Sequence, residues 1–228
     1  MNKTLSLKNI LQKKTYTSDR KIDQCKGAAV IFNSESLYFY YLDEDYRKYV
    51  HTASTIFIDG VFVKLGCRIL GFNVERNHGP DILTDLNNGG LLKSALLIGG
   101  AANNQMLIDK GQFKAWVNLP ISDDIQYLVE CLKQSSALKN DVSIFVVSLG
   151  LPKQEKFCCE LLKHVDSNGS LILPVGAAID FMTGHRKRSS KIWRKLGLEW
   201  LPRLIREPRM FIRNARSLIG FIYFLIYK

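Results

Sequence analysis

Short apolar runs alternate with amphipathic segments along most of the chain. The runs are rich in β-branched residues and end at glycine, proline or polar residues, which is the pattern of buried strands. Six of them lie at residues 28–32, 55–58, 95–98, 114–117, 143–147 and 171–173. Segments with helical spacing lie between them, for example residues 125–138 and 155–164. This alternation predicts an α/β fold with a Rossmann-like, mainly parallel sheet and helices on both faces.

Polar or glycine-rich residues follow several of the predicted strands directly. Asn33 follows the first, Asp59 and Gly60 follow the second, Gly150 follows the fifth, and residues 174–176 follow the sixth. In an open α/β sheet, ligands bind in the crevice beyond the carboxyl ends of the strands. We therefore expect these residues to lie along one edge of the sheet, where they could share a cleft.

The stretch from residue 142 to residue 155 reads as a buried strand, a turn and the start of a helix. At that turn, Lys153, Gln154 and Glu155 supply a cation, an amide and a carboxylate. The free N–H groups of a helix start favour anions. The alternative is an ordinary polar loop in which the glutamate is favoured by the helix dipole. The segment by itself leaves both interpretations open.

Asp59 is a candidate general base. It stands at the end of a predicted strand, and the glycine after it lets the backbone approach a ligand closely. A carboxylate in a cleft can act as a base because burial and neighbouring groups tune its pKa. Taken alone, however, an Asp-Gly pair most often marks a turn.

The sequence contains no strong metal site. Asp43 and Asp45 match an acid-x-acid pattern that can hold a divalent cation, but they lie in a segment that looks helical, where a solvated acidic turn is the simpler interpretation. The five cysteines show no C-x-x-C spacing, which favours a reduced, cytosolic setting. The histidines show no metal-ligand spacing either and read as surface or structural residues: His51, His78, His164 and His185.

The positive charge is concentrated at the end of the chain. The formal charge is +11, and residues 185–228 contain twelve Lys and Arg against two acidic residues, so this segment alone carries +10. A basic tail on a nearly neutral domain favours a phosphate-rich partner such as anionic lipid or nucleic acid. We expect an α/β domain over residues 1–184 and a basic appendage over residues 185–228.

The appendage is predicted to end in an amphipathic helix with Pro208 in its first turn. Arg209, Arg213 and Arg216 fall within an arc of about 60° on such a helix. An apolar stripe lies roughly opposite, formed by Phe211, Leu218, Ile222 and Leu225. This arrangement suits a membrane surface, and the alternative is a helix packed on the domain with a solvated face. We expect no signal peptide, because residues 1–26 lack an apolar core, and no apolar run reaches the roughly 18 residues of a membrane-spanning helix.

Several motifs, taken in order along the chain, resemble those of the WecG/TagA/CpsF family, glycosyltransferase family 26. The resemblance covers roughly residues 28–216. The shared motifs are Asn33-Ser-Glu-Ser-Leu, Ile58-Asp-Gly, Glu75-Arg, Gly79-Pro-Asp, Leu149-Gly-Leu-Pro-Lys-Gln-Glu, Val175-Gly-Ala-Ala-Ile-Asp-Phe-Met-Thr-Gly, and residues 197–209. A series of this length is far more specific than any one of its members.

The resemblance implies transfer of an N-acetylmannosamine-type sugar from a UDP-sugar to a sugar carried on a polyprenyl diphosphate, with inversion and with neither a metal nor a cofactor. Asp59 would be the base. Donor-binding residues would be Asn33, Gly60, Gly150, Lys153, Gln154, Glu155 and Asp180. Residues for the acceptor diphosphate would be Arg188, Arg203, Arg206 and Arg209. The enzyme would work on bacterial surface polysaccharides in the cytoplasm, bound peripherally to the inner face of the plasma membrane through its tail, and a homo-oligomer is left open.

The chain departs from the family pattern at a few positions. Phe62 replaces a glycine that usually follows the Asp-Gly pair, where it could narrow the pocket, and Ser189-Ser190 and Pro202 are also unusual. One rival function is a non-catalytic basic module that binds anionic lipid or RNA. Trp193 and Trp200 are the only aromatic residues among the densest tail charges, which favours lipid over nucleic acid. A nucleotide-sugar epimerase or dehydrogenase is disfavoured by the missing glycine fingerprint.

Overall fold

The core of the protein is a six-stranded parallel sheet. The structure is a computed structural model that describes residues 3–100, 102–139, 142–186, 193 and 210–227. The strands are β1 (Gly27–Asn33), β2 (Thr55–Asp59), β3 (Ala95–Gly99), β4 (Ala115–Val117), β5 (Ile144–Ser148) and β6 (Leu171–Pro174). Their order across the sheet is β2-β1-β6-β5-β3-β4, and every pair is parallel. All six predicted strands are confirmed.

Helices cover both faces of the sheet, as the sequence predicts. They are α1 (Lys3–Lys14), α2 (Ser34–Leu42), α3 (Glu44–Thr52), α4 (Val61–Ile69), α5 (Gly79–Asn88), α6 (Gln105–Asp109), α7 (Ile125–Gln134), α8 (Lys153–Leu161), α9 (Ile179–Met182) and the C-terminal helix (Met210–Ile226). Short 3-10 turns lie at Ile22–Gln24, Leu91–Ser94, Ala102–Asn104, Ser136–Lys139 and Gly176–Ala178.

Two hydrophobic clusters sandwich the sheet, and the alternation of side chains along each strand divides the residues between them. In β1, for example, Val30 and Phe32 belong to one cluster, whereas Ala29 and Ile31 belong to the other. Helices α1 to α4, α7 and α8 contribute to the first cluster, and α5, α6 and α9 contribute to the second. Because both faces are covered, the strands read as continuous apolar runs.

The outer edge of β2 is covered by the segment that follows α1. Thr15 forms an isolated parallel bridge with Ile56, and the N–H of Tyr16 donates to the carbonyl of Ile56 at 2.8 Å. The ring of Tyr16 also packs on Phe57, with ring centroids 4.8 Å apart. Strand β2 is therefore paired with β1 on one side and partly paired with this segment on the other.

The C-terminal helix packs on the domain, mainly against α2 and also against α4. Gly220 lies so close to α2 that a Cβ there would collide with the backbone of Tyr38, and the ring of Phe224 rests on Gly66 of α4. The packed-helix alternative is thus what the structure shows. The helix also leaves its predicted apolar stripe exposed, at Phe211, Leu218, Ile222 and Leu225. None of the helices within the described part of the chain is long and apolar enough to cross a bilayer.

Some predicted boundaries were wrong by a few residues. Strands β1 and β2 each include the polar residue at their end, since Asn33 and Asp59 are still paired in the sheet register. The helix predicted at residues 125–138 ends at Gln134 and continues as a 3-10 turn. Asp43 does not lie inside a helix. It separates α2 from α3 and caps α3 by accepting from the N–H of Tyr46.

Candidate functional site

One cleft lies beyond the carboxyl ends of four neighbouring strands, β2, β1, β6 and β5. Its lining includes Asn33, Asp59, Gly150 and Gln154 together with the turn after β6. The volume is about 250 Å³, just below the range of about 300–1,000 Å³ usual for small-molecule sites. The strand-end residues that the sequence places along one edge are therefore brought together.

Asp59 ends β2 directly beside Asn33, which ends β1. One oxygen of its carboxylate, Oδ1, lies 2.7 Å from Nδ1 of His78, and about a quarter of the Asp59 side chain is exposed. The carboxylate is thus held on one side and open to the cleft. Gly60 follows at a point where a Cβ would approach the N–H of Ser34 to 2.5 Å, so only glycine lets the two strand ends lie this close.

Asn33 is the N-cap of α2. Its Oδ1 accepts from the N–H of Ser36 at 3.1 Å, and its own N–H donates to the hydroxyl of Ser36 at 3.0 Å. This reciprocal capping box fixes the side chain at the cleft wall. The amide Nδ2 is the group of Asn33 that can donate to a ligand.

The turn after β5 sends its three polar side chains in different directions. Gln154 lines the cleft. Lys153 instead donates to the carbonyl of Ser122 at 2.8 Å and pairs with Asp123 at 2.6 Å, on the loop before α7. Glu155 is fully buried below the cleft, where it accepts from Nε2 of Gln154 at 2.8 Å. The structure therefore places one of the three at the lining.

Burial raises the pKa of Glu155 to about 8, and the negative charge of Glu35 adds to this rise. The hydrogen bond from Gln154 opposes the shift only in part. The second oxygen of Glu155, Oε2, has no hydrogen-bond partner among the described residues, and the same is true of Oε1 of Gln154. The hydrogen bond between the two side chains lets Glu155 support Gln154 from below.

Asp180 lies behind the cleft and holds an arginine that lines it. The carboxylate of Asp180 pairs with Nε of Arg186 at 3.0 Å, and the backbone N–H of Arg186 donates to the carbonyl of Asp180 at 3.0 Å. Arg186 is part of the lining. Asp180 is therefore linked to the cleft through its ion pair with Arg186.

The C-terminal helix brings a second arginine to the cleft. Arg213 lines it and pairs with Glu35 at 3.3 Å, while Arg216 pairs with the other oxygen of Glu35 at 3.2 Å. The guanidinium of Arg216 also lies over the ring of Phe39, 5.5 Å from its centroid. The sequence suggested that these arginines face a membrane. Instead, they clamp a carboxylate at the start of α2.

Phe62 does not narrow the cleft, so that expectation was wrong. Its ring stacks on Phe221 of the C-terminal helix, with ring centroids 5.1 Å apart. This side of α4 faces the helix and not the ligand space. The four arginines expected at the acceptor diphosphate, Arg188, Arg203, Arg206 and Arg209, lie outside the described residues, as do Ser189, Ser190, Trp200, Pro202 and Pro208.

No three His, Cys, Asp or Glu side chains within the described ranges lie close enough together to hold a metal ion. The acid-x-acid pattern has a structural use, because Asp43 caps α3 and pairs with Lys156 at 3.0 Å. This agrees with the simpler of the two interpretations of that segment.

The arrangement can bind an anion and accept a proton. Helices α2, α5 and α8 all begin beside the cleft, so their N–H groups and dipoles favour negative charge there. The guanidinium groups of Arg186 and Arg213 add cations suited to phosphate. Asp59 supplies the carboxylate.

Sequence reasoning missed some residues of the site, chiefly Glu35, His78 and Arg213. Glu35 belongs to the Asn33-Ser-Glu-Ser motif, and His78 directly precedes the Gly-Pro pair that starts α5, so the sequence contained a signal for these two residues. Their partners lie far away in the sequence, and the motifs alone do not reveal them.

A comparison with models of protein families gives one further finding. The model described as the glycosyl transferase WecG/TagA/CpsF family matches residues 5–228. The match extends beyond the motifs at both ends, and it includes most of α1 and all of the C-terminal helix.

Proposed function

The chain belongs to the WecG/TagA/CpsF family and is a glycosyltransferase of cell-surface polysaccharide synthesis, and from this premise we propose a specific reaction for it. It moves an N-acetylmannosamine-type sugar from a UDP-sugar to a sugar carried on a polyprenyl diphosphate, with inversion. The observation that carries the proposal is the open carboxylate of Asp59 in a cleft ringed by helix starts and arginines. Family membership favours this enzyme over a non-catalytic module that binds lipid or RNA.

The proposed reaction is a single displacement. Asp59 takes the proton from the acceptor hydroxyl while the hydroxyl oxygen bonds to the anomeric carbon of the donor sugar. The bond from that carbon to the diphosphate oxygen breaks, and UDP leaves from the opposite face. Its negative charge is stabilised by Arg186 and Arg213 and by the helix starts at the cleft. No metal is needed for any of these steps.

Gln154 and Asn33 are proposed to contact the donor directly. Oε1 of Gln154 is buried without a hydrogen-bond partner among the described residues, so an N–H or O–H group of the UDP-sugar would satisfy it. Nδ2 of Asn33 can donate a hydrogen bond to the UDP-sugar. Gly60 and Gly150 would let the donor approach the backbone at the two turns.

The remaining donor-site residues are proposed to act indirectly. Glu155 supports Gln154 from below, and Asp180 holds Arg186. Lys153 fixes the loop before α7 through Asp123. The hydrogen bonds and ion pairs of these side chains support the proposed roles.

The acceptor is proposed to arrive from the inner face of a bacterial plasma membrane. The exposed apolar stripe of the C-terminal helix would lie in the membrane surface. Arg188, Arg203, Arg206 and Arg209 would bind the acceptor diphosphate, since a guanidinium group forms paired hydrogen bonds with phosphate oxygens.

The test is mass spectrometry of a short-chain polyprenyl-diphosphate-linked N-acetylglucosamine after incubation with the protein, a panel of UDP-sugars and a chelator. We expect a product heavier by one N-acetylhexosamine. Asp59→Asn should lose turnover but still bind UDP, whereas Asp23→Asn, an exposed carboxylate before β1, should match the wild type. Absence of UDP binding by the wild type would refute the donor assignment, and unchanged turnover in Asp59→Asn would refute the base.

A further inference from the structure

Among the described residues, His78 is the ionisable side chain that pairs with the proposed base, Asp59. Its Nδ1 lies 2.7 Å from Oδ1 of Asp59, and the exposed fractions of the two side chains are 18% and 26%. Both residues line the cleft. An ionised carboxylate only accepts hydrogen bonds, so the proton in this contact is on Nδ1 of the imidazole.

The segment that carries His78 is fixed by backbone hydrogen bonds on both sides. The N–H of Asn77 donates to the carbonyl of Ile58, the residue before Asp59, at 2.6 Å. On the other side, the carbonyl of His78 accepts from the N–H groups of Asp81 and Ile82 in the first turn of α5. The segment that carries the histidine is thus tied both to the end of β2 and to α5.

His78 also occupies a position that normally has a different use. It is the N-cap of α5, where Ser, Thr, Asp or Asn usually caps the helix with its side chain. The His78 side chain makes no capping hydrogen bond and instead turns to Asp59. The helix therefore starts without a side-chain cap, while the carboxylate gains a partner.

We propose that His78 is a positioning residue for sugar transfer. Its Nδ1–H donates to Oδ1 of Asp59, fixes the rotamer of that carboxylate, and leaves Oδ2 to take the proton of the acceptor hydroxyl. The proposal rests on the proposed function, in which Asp59 is the base. A residue that holds a reacting group in this way affects turnover more than donor binding, because the donor does not depend on the carboxylate rotamer.

Four proteins test the proposal: the wild type, His78→Ala, His78→Asn and His78→Gln. The amide nitrogen of Asn stands close to where Nδ1 stands in His and can still donate to Asp59. The amide of Gln reaches further, toward the place of Nε2. A matched control is His164→Ala, because His164 lies outside the cleft and pairs only weakly with Glu160, at 3.7 Å.

We expect kcat of His78→Ala to fall about 10- to 100-fold with little change in KM for the donor. His78→Asn should recover most of that loss, and His78→Gln should not. The control should match the wild type. Equal kcat in His78→Ala and wild type would overturn the proposal, and so would equal losses in the Ala and Asn variants or a loss confined to donor KM.

A second measurement does not depend on turnover. Nitrogen-15 NMR of the wild type, at a pH where the imidazole is neutral, should show His78 protonated on Nδ1, and Asp59→Ala should shift the proton toward Nε2. A wild-type His78 protonated on Nε2 would overturn the proposal whatever the kinetics. An inactive wild type would overturn the proposed function together with the role of His78, whereas an active wild type with an unaffected His78→Ala would overturn only the latter.

Discussion

Replacing Glu155 with Gln should change how the stability of the protein depends on pH. Glu155 lies in the first turn of α8 and is fully buried, with Oε1 bonded to Gln154 and Oε2 without a hydrogen-bond partner among the described residues. Burial raises its pKa from 4.5 to about 8. Glu155→Gln keeps the size and the acceptor oxygen but cannot ionise, so it isolates the effect of the charge.

The sign follows from where the proton is bound. Between pH 4.5 and about 8, the folded protein keeps the proton of Glu155 while the unfolded chain has released it. Folding therefore requires proton uptake, and the stabilising contribution is complete below pH 4.5 and is lost as the pH rises toward 8. One pKa unit corresponds to about 1.4 kcal/mol, so the loss across this window is roughly 5 kcal/mol. The Gln variant lacks this slope.

The amide of the variant also has a cost of its own. Its NH₂ group places two N–H donors where the protonated carboxyl has one O–H, and the additional unpartnered donor destabilises the fold by about 1–3 kcal/mol. We therefore expect Glu155→Gln to be less stable than the wild type near pH 5 and more stable near pH 8. The two stability curves should cross between these values.

Urea unfolding of both proteins from pH 5 to pH 8 measures this difference. Glu160→Gln on the same helix is the matched control, because the hydrogen bond from Lys163 lowers the pKa of Glu160. Glu160 is therefore ionised in both states over this range, and its variant should differ from the wild type by a constant amount. A constant difference for Glu155→Gln as well would show that Glu155 is already ionised in the folded protein at pH 5, and the reasoning would be refuted.

Three further predictions concern the C-terminal helix. Glu35→Gln should lower the free energy of unfolding, measured in urea, by about 1–2 kcal/mol. This is less than the loss of a fully buried ion pair would cost, because the two partners of Glu35, Arg213 and Arg216, are each more than 40% exposed. Gly220→Val should destabilise the protein by several kcal/mol, because the new side chain meets the backbone of α2; a thermal shift no larger than that of Ile222→Val would contradict this contact. The double variant Phe211→Ser with Ile222→Ser should reduce flotation with anionic liposomes without lowering the melting temperature, since both side chains are exposed; undiminished flotation would show that the stripe does not bind the membrane.

The strands could be predicted because they are buried on both faces and end at residues that cannot continue an apolar run. The same signal misplaced their ends, since Asn33 and Asp59 are polar and yet remain paired in the sheet. Hydropathy follows burial, whereas the end of a strand depends on its backbone partner. The parallel order also brought the predicted strand ends to one cleft.

The side-chain contacts of the site could not be predicted in the same way. The partner of Asp59 is His78, from a segment that joins β2 through the backbone of Asn77, and the partner of Arg213 is Glu35, at the other end of the chain. Such pairs depend on how helices pack after the sheet has formed. Adjacent residues can also have different surroundings, as Lys153 and Gln154 do, because successive side chains on a helix point about 100° apart.

The pairing of Thr15 and Tyr16 with Ile56 has a consequence for shortened versions of the protein. Strand β2 carries Asp59 at its end, and on its outer edge the carbonyl of Ile56 accepts from the N–H of Tyr16. An uncovered strand edge is a template for pairing with another chain, so removal of residues 1–16 would expose an aggregation-prone edge. The trimmed protein should self-associate through β2, the strand that carries the proposed base. The segment that follows α1 therefore covers the edge of the strand that carries Asp59, and a shortened protein without it would lose that cover.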